Sequence, residues 1–381
     1  MLATVLAMSQ PSCPSVEHLL ARSDGGLARI RRPGGRIDAD GLAALADAAD
    51  RFASGTVEIT NRANLQVRGV RPGAGSRLAG ALVSAGLSCG ASGDRRRNVL
   101  MAPLGGLDPD AFDYGPLLEP LLAELDSDPR LDALSDKFGV ALDGGGAWPL
   151  SGRRAAIVAS PGADPRTVVV TCGWAPPRTV ERAELAGVLA SAAAASLDHP
   201  YRGVVVPGPI APPAGPLGAG PGWVGAMPLL GRAPAATLAG LGELARRHSG
   251  GALRLTPWRG VVFPAPTGAD RLIAGLRRLD LVVDPDDPAG PVVACAGTAG
   301  CTSALTDAIG DARQVIRARR ERGAPVEGVH VSGCAKRCAQ RAPAAVTLVG
   351  TGPGRYDLYR GEEIDSAGLS ASEAVEEASR P

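Results

Sequence analysis

The feature of this 381-residue chain that most constrains its fold is an internal repeat. When the sequence is shifted against itself by 196 residues, residues 26–67 align with residues 222–263 without a gap. Eleven of the 42 aligned positions carry the same residue. An ungapped match of this length favours duplication. The alternative is a shared bias toward Ala, Gly and Leu, since composition alone can imitate sequence similarity. We therefore expect two copies of one structural unit.

Each copy has the pattern of a strand, a helix and a second strand. In the first copy Leu42, Leu45, Ala49 and Phe52 recur at helical spacing, and Gly55 precedes the strand-like segment TVEIT. Glycine commonly ends a helix. One such unit is too small to bury a core alone, so the two copies are expected to pack as one pseudo-symmetric domain in an α+β protein.

The repeat also divides the rest of the chain. A Pro/Gly-rich stretch before the second copy is typical of a linker, and two α/β segments follow the copies. The predicted division is a tail at 1–14, a first repeat unit at 15–75, an α/β domain at 76–202, a linker at 203–221, a second repeat unit at 222–285, a cysteine-bearing domain at 286–365 and a tail at 366–381.

Composition excludes several classes of protein. A formal net charge of +1 and an apolar content of 45% are typical of a globular protein, not of a disordered or nucleic-acid-binding chain. No apolar run is long enough to span a membrane. The apolar start MLATVLAMSQ lacks the basic residues of a signal peptide, so the cytoplasm is the expected compartment. No nucleic-acid or membrane partner is expected.

Four of the seven cysteines form two close pairs. Five residues separate Cys295 from Cys301, and three separate Cys334 from Cys338. Four thiolates are the ligand set of a [4Fe–4S] cluster or of a structural zinc ion. Zinc sites favour two similar pairs with shorter spacings, so the Gly/Ala-rich interval between the first two cysteines favours the cluster. Zinc and a set of unligated buried cysteines stay open as alternatives.

Three segments of the N-terminal half resemble the siroheme sulfite and nitrite reductase superfamily. TNRANLQV and GDRRRNVL are similar to its two arginine segments, and SDKFGV is similar to its active-site lysine segment. The resemblance implies three catalytic residues, which are Arg62, Arg97 and Lys137. It implies a larger substrate-binding set, which is Arg62, Arg95, Arg96, Arg97, Asn98 and Lys137.

One position departs from the reductase pattern. The reductases carry a second lysine two residues after the first, where this chain has Gly139. This departure and the segments LSDKFGVALDGGG, HVSGCAKRCA and YDLYRGEE make the chain more similar to the precorrin-3B synthase branch of the superfamily. The implied fold is α+β, with two ferredoxin-like half-domains packed pseudo-symmetrically and two α/β segments, of which the C-terminal one carries the Fe–S cluster.

That branch implies a monooxygenase that hydroxylates precorrin-3A at C20 with O2 and forms a γ-lactone. It implies a [4Fe–4S] cluster that relays electrons, and a non-haem iron whose ligands the sequence does not identify. The cluster ligands would be Cys295, Cys301, Cys334 and Cys338. The basic residues would hold the substrate carboxylates, and Lys137 is the candidate proton donor.

Because no dinucleotide-binding fingerprint is evident, the electrons are expected from a separate reductase or ferredoxin. The basic residues and the cysteine pairs are expected to face each other across one cleft between the two halves. Two other functions stay open: a siroheme-dependent sulfite or nitrite reductase, and a non-catalytic Fe–S or zinc protein for electron transfer or scaffolding. No role is assigned to Cys13, Cys89, Cys172 or His330, although a lone cysteine is most often a small buried side chain.

Overall fold

The structure is a computed structural model, and it describes residues 13–380. Almost all of the predicted N-terminal tail, residues 1–14, therefore lies outside the described residues. Within them, no helix combines the length and the apolar character needed to cross a bilayer.

The first repeat unit is an antiparallel sheet covered by helices. Its elements are β1 (Leu20–Arg22), β2 (Gly25–Ile30), β3 (Arg36–Asp38), α1 (Ala39–Phe52), β4 (Thr56–Ile59), β5 (Leu65–Val70) and α2 (Gly75–Ser84). The Asp38 carboxylate caps α1 by accepting a hydrogen bond from the Gly41 amide at 2.7 Å. Leu42, Leu45 and Ala49 are buried along one face of α1, so the predicted helix is confirmed.

The first α/β segment is a five-stranded mixed sheet with helices packed against it. Its elements are α3 (Gly90–Arg96), β6 (Val99–Met101), α4 (Leu118–Ser127), β7 (Val140–Leu142), β8 (Arg154–Ala155), β9 (Ile157–Pro161), β10 (Thr167–Cys172), β11 (Ala175–Glu181), α5 (Leu185–Ala195) and β12 (Val204–Val205). The strand order is β11-β10-β9-β7-β6, with β6, β7 and β9 parallel. Buried leucines of α4 and α5 join the core of this sheet.

The second repeat unit has the same order of elements as the first. It contains β13 (Gly218–Gly220), β14 (Trp223–Ala226), β15 (Arg232–Pro234), α6 (Ala235–His248), β16 (Ala252–Leu255), β17 (Val261–Pro264) and α7 (Ala269–Arg278). The two units exchange their short strands: β15 pairs with β4, and β3 pairs with β16. Helices α1 and α6 pack on each other inside one shared core.

Unusual backbone conformations recur at the repeat offset. Gly34 and Leu230, 196 residues apart, have φ angles of 60° and 58°. Ala63 and Arg259, which are separated by the same interval, have φ angles of 52° and 62°. Non-glycine residues rarely adopt this left-handed conformation, so its recurrence supports the duplication that the sequence indicates.

The C-terminal segment repeats the topology of the first α/β segment. Its elements are β18 (Val292–Ala294), α8 (Gly297–Gly300), α9 (Ala308–Arg322), β19 (Val329–Ser332), β20 (Val346–Gly352), β21 (Arg355–Arg360), β22 (Glu363–Ser370) and α10 (Ala371–Ala378). In the order β18-β19-β20-β21-β22 the first three strands are parallel and the last two antiparallel. The duplication therefore includes both α/β segments, and the predicted α+β architecture is confirmed.

Two of the predicted boundaries fall inside folded elements. Leu78 and Leu82 of α2 belong to the shared core of the repeat units, beyond the boundary at residue 75. Residues 366–380, which the sequence analysis treats as a tail, complete β22 and form α10. Ser370 and Glu373 form a capping box there, and the buried Ala374 packs into the C-terminal core. A short acidic segment that buries only small side chains gives little signal in the sequence.

Candidate functional site

The four paired cysteines lie at one edge of the C-terminal sheet. Cys295 directly follows β18, and Cys334 comes two residues after β19, its parallel neighbour. Because the carboxyl ends of parallel strands meet at the same edge, the sheet brings the two pairs together. Cys301 and Cys338 come from the loops that follow, and all four cysteine side chains line one cavity of about 510 Å³.

Two backbone amides lie against the thiol of Cys295. The Gly333 amide donates a hydrogen bond to the Cys295 sulfur at 3.1 Å. Burial raises the pKa of the Cys295 thiol, the amides of Gly333 and Gly297 oppose this rise, and the nearby thiols of Cys334 and Cys301 add to it. Amide hydrogen bonds of this kind stabilise thiolate ligands and tune the reduction potential of a cluster.

The donor set fits an iron–sulfur cluster. A Cβ added at Gly333 would come 2.9 Å from the Ala304 Cβ and 3.5 Å from the Cys295 sulfur, so the backbone passes close to the thiols. Between residues 13 and 380, no three His, Cys, Asp or Glu side chains converge tightly enough to hold a single metal ion. Thiolates that bind separate corners of a cube lie farther apart than the ligands of one ion. The ligands of the expected non-haem iron are therefore not identified in this part of the chain.

The opposite wall of the cavity comes from the N-terminal half. Arg62 lies in the turn between β4 and β5, where its amide donates to the Thr60 hydroxyl at 3.3 Å. Asn98 precedes β6, and its side chain bonds to Asn64 and to the Phe138 carbonyl. Lys137 precedes β7 and is exposed. The structure thus brings Arg62, Asn98 and Lys137 to the cavity that holds the four cysteines, as the sequence analysis expects of the cleft.

Gly139 lies directly beside Asn98. A Cβ added at Gly139 would come 2.8 Å from Asn98 Nδ2 and 3.2 Å from the Asn98 carbonyl oxygen. The position of the second reductase lysine therefore has no room for a side chain while Asn98 keeps its place.

The other three expected arginines do not line the cavity. Arg97 and Arg96 pair with Asp126 of α4, and Arg96 also pairs with Asp132. Arg95 donates to the Asp132 carbonyl at 2.8 Å. These guanidinium groups join the end of α3 to α4 and the turn that follows it. Their acidic partners explain why the run GDRRRNVL does not supply three cavity-facing cations.

The cavity is strongly cationic, although the whole chain has a formal net charge of only +1. Nine of its described lining residues are basic and two, Glu58 and Asp136, are acidic. The nine are Arg22, Arg29, Arg31, Arg62, Arg68, Lys137, Arg232, Arg259 and Lys336. Both lysines of the sequence are among them.

Most of these cations lie outside the set of site residues predicted from the sequence. Arg29 and Arg31 stand on either side of the buried Ile30, at the end of β2 and just beyond it, and LARIRR contains this spacing. Arg259 gave no such signal, because it reaches the cavity from a turn with a left-handed conformation.

Burial weakens the protonation of several of these cations. It lowers the pKa of Arg259 to about 10, and it lowers the pKa of the neighbouring Arg153 to about 9, with added repulsion from Arg259 and Arg62. Within the described residues, Arg62, Lys137 and Arg259 form no ion pair. Unpaired guanidinium groups held this close together favour binding of an anion.

The comparisons with known proteins agree with this architecture. The family described as "Nitrite/Sulfite reductase ferredoxin-like half domain" matches residues 21–82 and 218–274, the two repeat units. A precorrin-3B synthase from Sinorhizobium sp. is 30% identical over 93% of this chain and 83% of that protein. A ferredoxin–nitrite reductase from Synechococcus elongatus is 32% identical over 31% of this chain and 25% of that protein.

A solved structure shows the same fold. The Mycobacterium tuberculosis NirA protein superposes with a TM-score of 0.73 at 20% identity, over 93% of this chain and 80% of that one. The relatives are oxidoreductases, and this chain is an enzyme of that class. It belongs to the precorrin-3B synthase family, within the nitrite/sulfite reductase superfamily.

Proposed function

We propose that this enzyme hydroxylates precorrin-3A at C20 with O2 and closes a γ-lactone from the ring A acetate, which is the precorrin-3B synthase reaction. The observation that carries this proposal is the meeting of four cysteines with unpaired basic residues in one cavity. The identity to the Sinorhizobium precorrin-3B synthase along 93% of the chain also supports it.

The charge of the cavity suits a polycarboxylate tetrapyrrole. Arg62, Arg259 and Lys137 have donors that no described carboxylate occupies, and charge-assisted hydrogen bonds to carboxylates are about twice as strong as neutral ones. Asn98 adds a neutral amide to the same cavity. We assign substrate binding to these residues, and we leave Arg95, Arg96 and Arg97 out of the site.

A [4Fe–4S] cluster would be held by Cys295, Cys301, Cys334 and Cys338, and when bound it supplies single electrons. The amides of Gly333 and Gly297 stabilise the Cys295 thiolate in that site. Lys137, an exposed ammonium at the cavity wall, is the proposed proton donor. The reaction consumes O2, two electrons and two protons; one oxygen atom enters the product and the other leaves as water. A separate electron-donor protein supplies the electrons.

The test is an oxygen-labelling experiment. The enzyme is purified anaerobically and given precorrin-3A, a reductant system and ¹⁸O2, and the product is examined by mass spectrometry. The proposal expects a product heavier by one labelled oxygen atom, formed only when O2 is present. Recovery of unlabelled precorrin-3A by an enzyme whose cluster is intact would overturn it.

The visible spectrum of the same preparation distinguishes the proposed function from that of a siroheme-dependent reductase. A sulfite or nitrite reductase binds siroheme, whose intense visible bands differ from the broad absorbance of an iron–sulfur cluster. We expect the cluster absorbance without a bound tetrapyrrole band. Siroheme bands together with sulfite or nitrite turnover would instead identify the chain as a reductase, despite the crowding at Gly139.

A further inference from the structure

Arg68 connects the first repeat unit to the loop between Cys295 and Cys301. Its side chain, on β5, is only 6% exposed. Its Nη2 donates to the Gly300 carbonyl at 2.7 Å, across 232 residues of sequence. The Asp24 carboxylate accepts from Arg68 Nε at 2.9 Å and from Nη2 at 3.3 Å. One planar guanidinium thus joins a hairpin of the first unit to the cysteine loop.

The charges around Arg68 are balanced within the protein. Glu58 of β4 lies 3.7 Å from Arg68 Nε and also pairs with Arg232 of β15. Two carboxylates, Asp24 and Glu58, therefore neutralise the guanidinium groups of Arg68 and Arg232. Unlike Arg62 and Arg259, Arg68 has no charge left for a substrate carboxylate, so its donor to Gly300 serves the cysteine loop.

The Gly300 carbonyl is the group that fixes the backbone before Cys301. Gly300 is the last residue of the single-turn helix α8, where carbonyl groups lack partners within the helix. A Cβ at position 300 would overlap the Arg68 guanidinium and come 3.1 Å from an Asp24 carboxylate oxygen. Because the Gly300 carbonyl belongs to the peptide that joins Gly300 to Cys301, its hydrogen bond orients the backbone that carries the Cys301 thiol.

We propose that Arg68 is a positioning residue for the cluster: by holding the Gly300–Cys301 peptide it sets the place of the Cys301 thiolate. This inference rests on the cluster of the proposed function but not on its substrate. A residue that only joined two domains would change stability and leave the cluster unaltered. A positioning residue changes the retention and the spectroscopic signature of the cluster in a chain that is still folded.

The test compares Arg68→Met with Arg71→Met. Arg71 is a matched control, since it follows the same strand and also donates to backbone carbonyls, those of Arg51 and Asp50, but touches no cysteine loop. Each protein is purified anaerobically; iron and acid-labile sulfide are counted, the reduced cluster is examined by electron paramagnetic resonance, and loss of its absorbance in air is timed. Circular dichroism monitors folding.

We expect Arg68→Met to weaken cluster retention by about 10–100-fold, the usual effect of losing a group that orients a metal ligand, and to change the resonance spectrum. Arg68→Lys keeps the charge but loses the planar fork, so it should restore only part of the retention. Arg71→Met should match the wild type. A folded Arg68→Met protein with wild-type iron content, spectrum and lifetime in air would overturn the proposal.

If Arg68→Met does not fold, Gly300→Ala tests the same contact from the other side, and a wild-type cluster in that variant would equally overturn the proposal. The outcome is separable from that of the oxygen-labelling experiment. A wild-type cluster without hydroxylation would refute the reaction and leave the role of Arg68 intact. Hydroxylation by the wild-type enzyme, together with an unaltered cluster in Arg68→Met, would support the reaction and refute the role of Arg68.

Discussion

The Asn98 amide nitrogen lies 2.8 Å from where a side chain at Gly139 would begin. Asn98 is held there by the Phe138 carbonyl and by Asn64. It therefore fills the space that a side chain at position 139 would need. The contact joins the residue before β6 to the residue before β7, its parallel neighbour.

The contact predicts a specific coupling between the two positions. Gly139→Ala should destabilise the protein by about 1–3 kcal/mol, as overpacking of a filled site does. In an Asn98→Ala background the same change should have a much smaller effect, because the crowding amide is gone. Urea unfolding of the two single variants and the double variant measures this; additive effects would contradict the coupling.

The paired cysteines predict a selective loss of iron. Cys334→Ala should abolish the iron–sulfur absorbance and the acid-labile sulfide, because a cluster corner loses its thiolate. Cys172→Ala is the control: Cys172 lies on β10, away from the cavity, and its replacement should leave iron content unchanged. Iron and sulfide counted per chain decide the matter, and equal losses in both variants would argue against the assigned ligand set.

Two arginines that the sequence analysis treats alike should behave differently. Arg62→Met removes an unpaired cation of the cavity, so KM for the tetrapyrrole should rise about tenfold or more while stability changes little. Arg97→Met removes the pair with Asp126, so KM should stay unchanged and the free energy of unfolding should fall by about 0.2–1 kcal/mol. Steady-state kinetics and urea unfolding test both statements. A large KM effect of Arg97→Met would restore that residue to the site.

The burial of His330 predicts that the fold is less stable at acidic pH. His330 is fully buried on β19, and burial together with the charges of Arg259 and Arg337 lowers its pKa to about 4. In the unfolded chain a histidine has a pKa of about 6.5, so between about pH 6.5 and pH 4 the unfolded state binds a proton that the native state does not. Stability should therefore fall as the pH falls through this window, by up to about 3 kcal/mol.

The His330→Gln variant isolates this contribution. Wild type and variant are unfolded in urea at pH 7 and at pH 4.5, with the cluster in the same state. The loss of stability on acidification should be about 2–3 kcal/mol smaller in the variant, because its side chain does not titrate. Equal losses in both proteins would show that other groups account for the acid sensitivity.

Patterns of spacing in the sequence were enough to predict the duplication, the helices of the repeat units and the four cysteines proposed as cluster ligands. Each of these appears as a spacing along the chain: an offset of 196 residues, a helical period, and two short cysteine intervals. Such patterns can be recognised in the sequence alone, because the geometry of helices and strands places residues of one face at fixed spacings.

The set of cations that face the cavity, in contrast, depends on how the chain folds. Arg97 and Arg62 look alike in the sequence, but α4 brings Asp126 to Arg97, and no described acid reaches Arg62. The exchange of β3 and β15, and the contact of Arg68 with Gly300, likewise join positions that are far apart in the chain. Whether a charge is free or neutralised depends on partners that folding supplies, and that is why the site could be located from the sequence but not completed from it.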